Sequence, residues 1–80
     1  MRAYIHVETK PGTVINVVNK MRENKHVISA DAVFGRFDAI LTVEVPTLPD
    51  IDQLVYTFVQ SDPDVIRTET SIVLELKQPK

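Results

Sequence analysis

Apolar and polar residues alternate with a period of two over Ala3–Glu8. Ala3, Ile5 and Val7 point one way and Tyr4, His6 and Glu8 the other, which predicts a strand with one buried face. Lys10-Pro11-Gly12 interrupts that pattern, and the period then changes. Val14, Val17, Val18 and Met21 fall at the i, i+3, i+4, i+7 spacing of one stripe, so a helix capped by Gly12 or Thr13 is predicted to about Asn24. Its valines are poor helix formers, and packing on a sheet must hold it rather than propensity. Val27–Phe34 and Ala39–Val45 read as the second and third strands. In the latter, Ala39, Leu41, Val43 and Val45 alternate with Ile40, Thr42 and Glu44. The short polar insert between them carries Gly35, whose tolerance of positive φ suits a tight reversal, so a β-hairpin is predicted.

Pro46 and Pro49 end the third strand. Thr47 is placed to cap a second helix with Asp50 in its first turn, and Ile51, Leu54, Val55, Phe58 and Val59 form its apolar stripe. Ser61-Asp62-Pro63-Asp64 closes that helix. The last strand, about Val65 to Lys77, sends Thr68, Thr70, Ile72, Leu74 and Leu76 to one face and Glu69, Ser71, Val73 and Glu75 to the other. The order β-α-β-β-α-β is that of a ferredoxin-like α+β fold, in which right-handed crossovers place both helices on one face of a four-stranded antiparallel sheet. The other face carries Tyr4, His6, Ile40 and Thr42, with Val73 at its margin. That surface is too apolar to be at ease in water and is expected to be a homodimer interface.

Eighty residues suit a single domain spanning 1–80. A chain of this size buries only about 60% of its unfolded surface, so self-association would help it. Nine Lys and Arg stand against 11 Asp and Glu, for a net charge of -2. There is no basic stripe to steer a polyanion, and direct nucleic-acid contact is not expected. The absence of cysteine removes disulfides, thiolate nucleophiles and sulfur-based zinc sites. No apolar run approaches the roughly 20 residues that span a bilayer, and Met1-Arg2 leads into alternation rather than a signal-peptide core. A cytoplasmic protein without membrane contact is expected.

Candidate chemistry is sparse. His6 and Glu8 share a strand face at i, i+2, as an acid/base pair or two metal ligands would, but the pattern offers no third partner, and an interface histidine is the plainer reading. His26, beside Lys25 just past the first helix, reads as structural. Lys10-Pro11-Gly12-Thr13 has one glycine and reads as a turn and cap, not a phosphate cradle. No catalytic residue, metal or cofactor is therefore assigned. The amides around Gly35 to Asp38 are candidate donors to an anion such as a carboxylate. Asp38 suits either a local backbone hydrogen bond or an amine. Thr68-Glu69-Thr70-Ser71 opens the last strand with hydroxyls at a rim, although threonines are common on edge strands.

Phe34-Gly35-Arg36-Phe37-Asp38 followed by an aliphatic strand, together with Val65-Ile66-Arg67-Thr68-Glu69-Thr70-Ser71-Ile72-Val73-Leu74, resembles the effector domain of the leucine-responsive/asparagine-responsive (Lrp/AsnC) regulators. The resemblance covers nearly the whole chain. It implies the βαββαβ fold, pairing of sheets into a dimeric α/β barrel, assembly of dimers into rings that are commonly octamers, and amino-acid ligands held between neighbouring dimers. Carried onto this sequence, it implies that the backbone of Gly35, Arg36 and Phe37 and the side chain of Asp38 meet the ligand's amino and carboxylate groups. Thr68, Thr70 and Ser71 would line the pocket across the interface. A tyrosine is more usual at Phe37, so one hydroxyl contact is missing here. Full-length relatives carry an amino-terminal helix-turn-helix, for which the sequence ahead of Ala3 leaves no room.

The function so implied is that of a stand-alone, non-enzymatic, amino-acid-binding oligomerisation domain, one that modulates transcription through partners such as full-length relatives. A fragment of a longer regulator would read the same way. The rival is a small dimeric α/β-barrel enzyme, monooxygenase-like, with an internal substrate pocket and His6 as its polar group. Stripes filled with Val, Ile and Leu leave no internal polar cluster for such a pocket.

Overall fold

The first strand sits inside the sheet rather than at its edge, and the rest of the fold is arranged about it. The computed structural model describes residues 1–75, and in it β1 (Arg2–Thr9) lies between β3 (Ala39–Glu44) and β4 (Val65–Ile72), with β2 (Val27–Ala32) outside β3. All three pairings are antiparallel. Register fixes the faces: Ile5 stands opposite Leu41 on one side and Thr70 on the other, while His6 stands opposite Ile40 and Glu69. Ala3, Ile5 and Val7 are 0% exposed, as the alternation requires of a strand whose one face is the core.

Helices α1 (Val14–Met21) and α2 (Leu48–Leu54) supply the rest of that core. Val17, Val18 and Met21 of α1 pack with Ile51 and Leu54 of α2 against Leu41 and Val43. The second helix continues as one wide π-turn, Val55–Val59, in which Gln60 donates its N–H to the Val55 carbonyl at 2.7 Å. Hydroxyls compete with the helix ladder here: Thr57 Oγ1 donates to the Gln53 carbonyl and Ser61 Oγ to that of Thr57.

Four details depart from the expected elements. The helix α1 stops at Met21 rather than Asn24, because Glu23 and Asn24 donate three residues back and tighten the chain into a turn. Thr13 occupies the N-cap position, but its hydroxyl donates back to the Lys10 carbonyl at 2.7 Å instead of accepting from the helix. Gly12, at φ +81°, makes that turn, in a conformation that a Cβ disfavours. The second strand ends at Ala32, so its junction with β3 is a loop over Val33–Asp38 and not a tight reversal. Gly35 within it has the expected positive φ, at +157°, a conformation that residues with a Cβ rarely adopt. The last strand ends at Ile72, with Val73 adding one bond to the Arg2 carbonyl. Its expected continuation through Leu76 and Lys77 lies outside the described residues.

At α2, Asp50 Oδ2 accepts from the Thr47 N–H at 3.1 Å and from the Thr47 hydroxyl at 2.6 Å, satisfying donors at the helix start. The end of α1 is tied to the turn before β4 by Lys20, whose Nζ lies 2.6 Å from Asp62 Oδ2. Burial of Asp62 pushes its carboxyl up, yet the Lys20 hydrogen bond and the Asp64 N–H outweigh it and leave the group below the usual carboxylate range.

Asp62→Ala is therefore expected to cost about 1–3 kcal/mol in urea unfolding at neutral pH, since two hydrogen bonds to a mostly buried carboxylate are lost. Because the folded pKa is depressed, the contribution from ionisation is present above the unfolded value of about 4 and fades as pH falls through the folded one. Unfolding curves of wild type and variant should approach each other in acid. A gap independent of pH would show that the ion pair contributes nothing.

Candidate functional site

The ladder between β1 and β3 ends at Val7 opposite Ala39, which leaves the next amide on the β3 side, that of Thr9, without a partner in β3. Asp38 fills the gap. Its own N–H donates to the Val7 carbonyl at 2.9 Å, and its carboxylate Oδ2 accepts from the Thr9 N–H at 2.8 Å and more weakly from Thr9 Oγ1 at 3.4 Å. Thr9 is buried, and this contact satisfies it. One residue thus closes the β2–β3 loop, with its carbonyl accepting from Val33, and fastens that loop to the end of β1. Of the two readings of Asp38, a backbone tie is what the protomer shows.

Phe37 turns the opposite way, onto the face of the sheet that lacks helices. Although it is a loop residue, it is only 7% exposed. The Arg67 guanidinium lies over its ring at 4.8 Å from the centroid, a cation–π contact, and the His6 ring meets it at 5.5 Å and a 50° tilt. Arg67 is held in place by Glu8, Nε to Oε1 at 3.3 Å, and His6 Nδ1 lies 3.3 Å from the Glu69 carbonyl. His6 and Glu8 therefore engage different partners rather than each other, and their arrangement braces the loop. Among the described residues no group of three or more acidic and histidine side chains is placed to hold a metal.

Gly35 and Arg36 form the exposed tip of the loop. Thr68 stands opposite Val7 on β4, so it shares the end of the sheet with Asp38, two strand spacings away or roughly 10 Å. Its hydroxyl accepts from Gln60 Nε2 at 2.8 Å, and both residues line a concavity of about 350 Å³ with Val65, Ile66 and Arg67. Thr70 and Ser71 lie farther along β4, opposite Ile5 and Tyr4, and point to opposite faces. Within one protomer the fold thus gathers Gly35, Arg36, Phe37, Asp38 and Thr68 at one end and leaves Thr70 and Ser71 apart.

Sequence reasoning missed Arg67, Thr9 and Gln60. Arg67 and Glu8 carry opposite charge at positions that become paired only once β1 and β4 are in register. Gln60 is aimed at Thr68 by the π-turn, which apolar periodicity does not reveal. Two further concavities exist. One of about 300 Å³ on the open face is lined by His6, Ile40 and residues 33–37. The other, of about 370 Å³ between the end of β3 and α2, contains none of the expected site residues.

Asp38→Ala should cost about 1–2 kcal/mol of stability, because it orphans the Thr9 amide. This exceeds what a free rim residue would show. Asp38→Asn keeps an acceptor oxygen for that amide and should cost less. Chemical denaturation of the two variants checks the order, and equal midpoints for wild type and Asp38→Ala would mean that the Thr9 contact is energetically empty.

Against known proteins, the family model of the Lrp/AsnC ligand binding domain matches residues 2–80. Among solved structures, hypothetical protein PHS023 from Pyrococcus horikoshii is 32% identical, with a TM-score of 0.86 over 92% of this chain and 90% of that one. The protein described as FFRP-DM1 is also 32% identical, with a TM-score of 0.88 over 91% of this chain and 97% of that one. A feast or famine regulatory protein from M. tuberculosis, solved with L-methionine, is 19% identical with a TM-score of 0.80. The match covers 98% of this chain but only 52% of that longer one. No curated protein matches the chain.

Proposed function

The chain belongs to the Lrp/AsnC ligand-binding domain family, and from that membership we propose that it is a non-enzymatic regulatory domain that binds a free amino acid at the Gly35–Asp38 loop. The observation that carries this reading is the posture of Asp38. Thr9 holds the carboxylate by Oδ2, which leaves Oδ1 as the acceptor we assign to a ligand ammonium, in the loop whose exposed tip is Gly35 and Arg36. A fixed carboxylate and free amides within four residues match the opposite charges of a zwitterion. The L-methionine bound to the M. tuberculosis protein supports an amino acid as the ligand class.

On this reading Thr68, Thr70 and Ser71 line the pocket from across the interface with a neighbouring protomer. Two copies pair through their open sheet faces, and dimers assemble into a ring, an octamer in the family pattern, with ligands between dimers. Ligand that binds one assembly state more tightly shifts the population toward it, and full-length regulators sharing the assembly would transmit the shift to transcription. The enzymatic alternative finds less support, since the described core cluster is apolar and Thr9, the polar residue buried at the end of β1, is committed to Asp38.

A thermal-shift screen of the twenty amino acids is expected to find a stabilising ligand, which at one hundred times its Kd adds about 2.7 kcal/mol. Calorimetric titration of Asp38→Asn with that ligand should then give an affinity about ten-fold or more weaker, as loss of a charge-assisted hydrogen bond predicts. Unchanged affinity would remove Asp38 from the site. No response to any amino acid would leave an oligomerisation domain without a ligand.

A further inference from the structure

Nothing among the described residues explains the position of Phe34. At the tip of the Val33–Asp38 loop its side chain is 107% exposed, as open to water as in an isolated peptide. Single exposed apolar residues are ordinary on soluble proteins, so exposure alone means little. Phe34 differs because it forms the lip of an apolar concavity of about 300 Å³ whose floor is His6, Ile40 and Phe37 of the open sheet face. Phe37 buries itself on this face while Phe34, three residues earlier, is held away from it.

The charges of the same face are largely neutralised inside the protomer. Arg67 pairs with Glu8 at 3.3 Å and Arg2 with Glu44 at 3.0 Å. The face's remaining charges stand at its margin: Asp31 and Glu69 on the two edge strands, and Arg36, exposed at the loop tip, on the rim of the concavity. An apolar centre with a neutralised or peripheral charged rim gives a strongly charged partner little to pair with and suits a surface that meets its own copy. A two-fold contact also requires the same patch to supply both projection and recess, and this loop has both within a few residues.

We propose that Phe34 anchors the contact between two copies of this chain, each inserting its ring into the partner's concavity over His6 and Ile40. The inference rests on the reading of the open face as a homodimer interface and adds which residue holds it. There the ring gains aromatic neighbours in Phe37 and His6 and leaves water. Two-fold symmetry uses the anchor twice, so one substitution removes two rings from each dimer.

Sedimentation equilibrium of wild type, Phe34→Ala, Ile40→Ala and the double variant tests this. Because Phe34 packs against none of the described residues, the circular dichroism spectrum of Phe34→Ala should be unchanged, and a loss of assembly cannot be ascribed to misfolding. The dimer dissociation constant is expected to rise by more than about ten-fold for Phe34→Ala, and the double variant should lose less than the sum of the singles. A wild-type dimer with an unchanged constant in Phe34→Ala overturns the inference and spares the reading of the face. A wild type that is monomeric at all concentrations overturns both. A Phe34→Ala protein that stays dimeric and loses only larger assemblies also overturns it, by moving the residue to a contact between dimers.

Discussion

A four-stranded sheet has two faces, and the described chain has helices for only one of them. Every other feature follows from that imbalance. With the order β2-β3-β1-β4, the helix face takes Ala3, Ile5, Val7, Leu41 and Val43 and is closed by α1, α2 and the π-turn after it. Tyr4, His6, Ile40 and Thr42 must face the other way, because a one-residue change of register would move the whole buried set into water. The chain partly relieves the exposure itself, by folding Phe37 onto that face under Arg67. What is left uncovered is the concavity beside His6 and Ile40.

The β2–β3 loop is therefore a fixed base with a free tip. Asp38 holds the base to β1 through Val7 and Thr9, and Phe37 holds it from the other side through Arg67 and His6. These ties leave Phe34, Gly35 and Arg36 exposed on a scaffold with little freedom to collapse. Such pre-organisation lowers the ordering cost that a flexible loop would incur on binding. The Phe37 ring lies beneath a guanidinium, and its work here is packing.

Legibility in the sequence followed the range of the interactions concerned. The order of strands and helices could be read because each carries its own period, two for Ala3–Glu8 and near 3.6 for Ile51–Val59, and Pro and Gly mark the breaks. The π-turn was invisible because Val55 and Val59 remain on the buried stripe whichever way the backbone winds. The length of the β2–β3 loop escapes sequence reading for a different reason. Val33 and Phe34 look like strand residues locally, and only Arg67, far away in the chain, decides that Phe37 is the phenylalanine to be buried. Likewise the Gly35–Asp38 motif marked the loop, but the role of Thr9 in orienting Asp38 needs the end of β3 to be known. Thr68 was placed with the loop by register, whereas Thr70 and Ser71 sit too far along β4 to meet it within one protomer.

If the same loop carries both the ligand donors and Phe34, assembly and ligand binding cannot be independent. Gly35 and Arg36 lie directly between Phe34, proposed to sit in a partner, and Phe37 and Asp38, which are tied to the sheet. A backbone shift on seating Phe34 would reach Asp38 through that short span. Linkage then requires that whatever assembly does to ligand affinity, the ligand does to assembly by the same factor, with couplings of about 1–3 kcal/mol being typical. For a domain of this size, with a thin margin of stability, a coupling of that order is a sizeable fraction of the whole. On the two proposals taken together no moving domain would be needed: the span between the tied aspartate and a docked phenylalanine would link the oligomer to the small molecule.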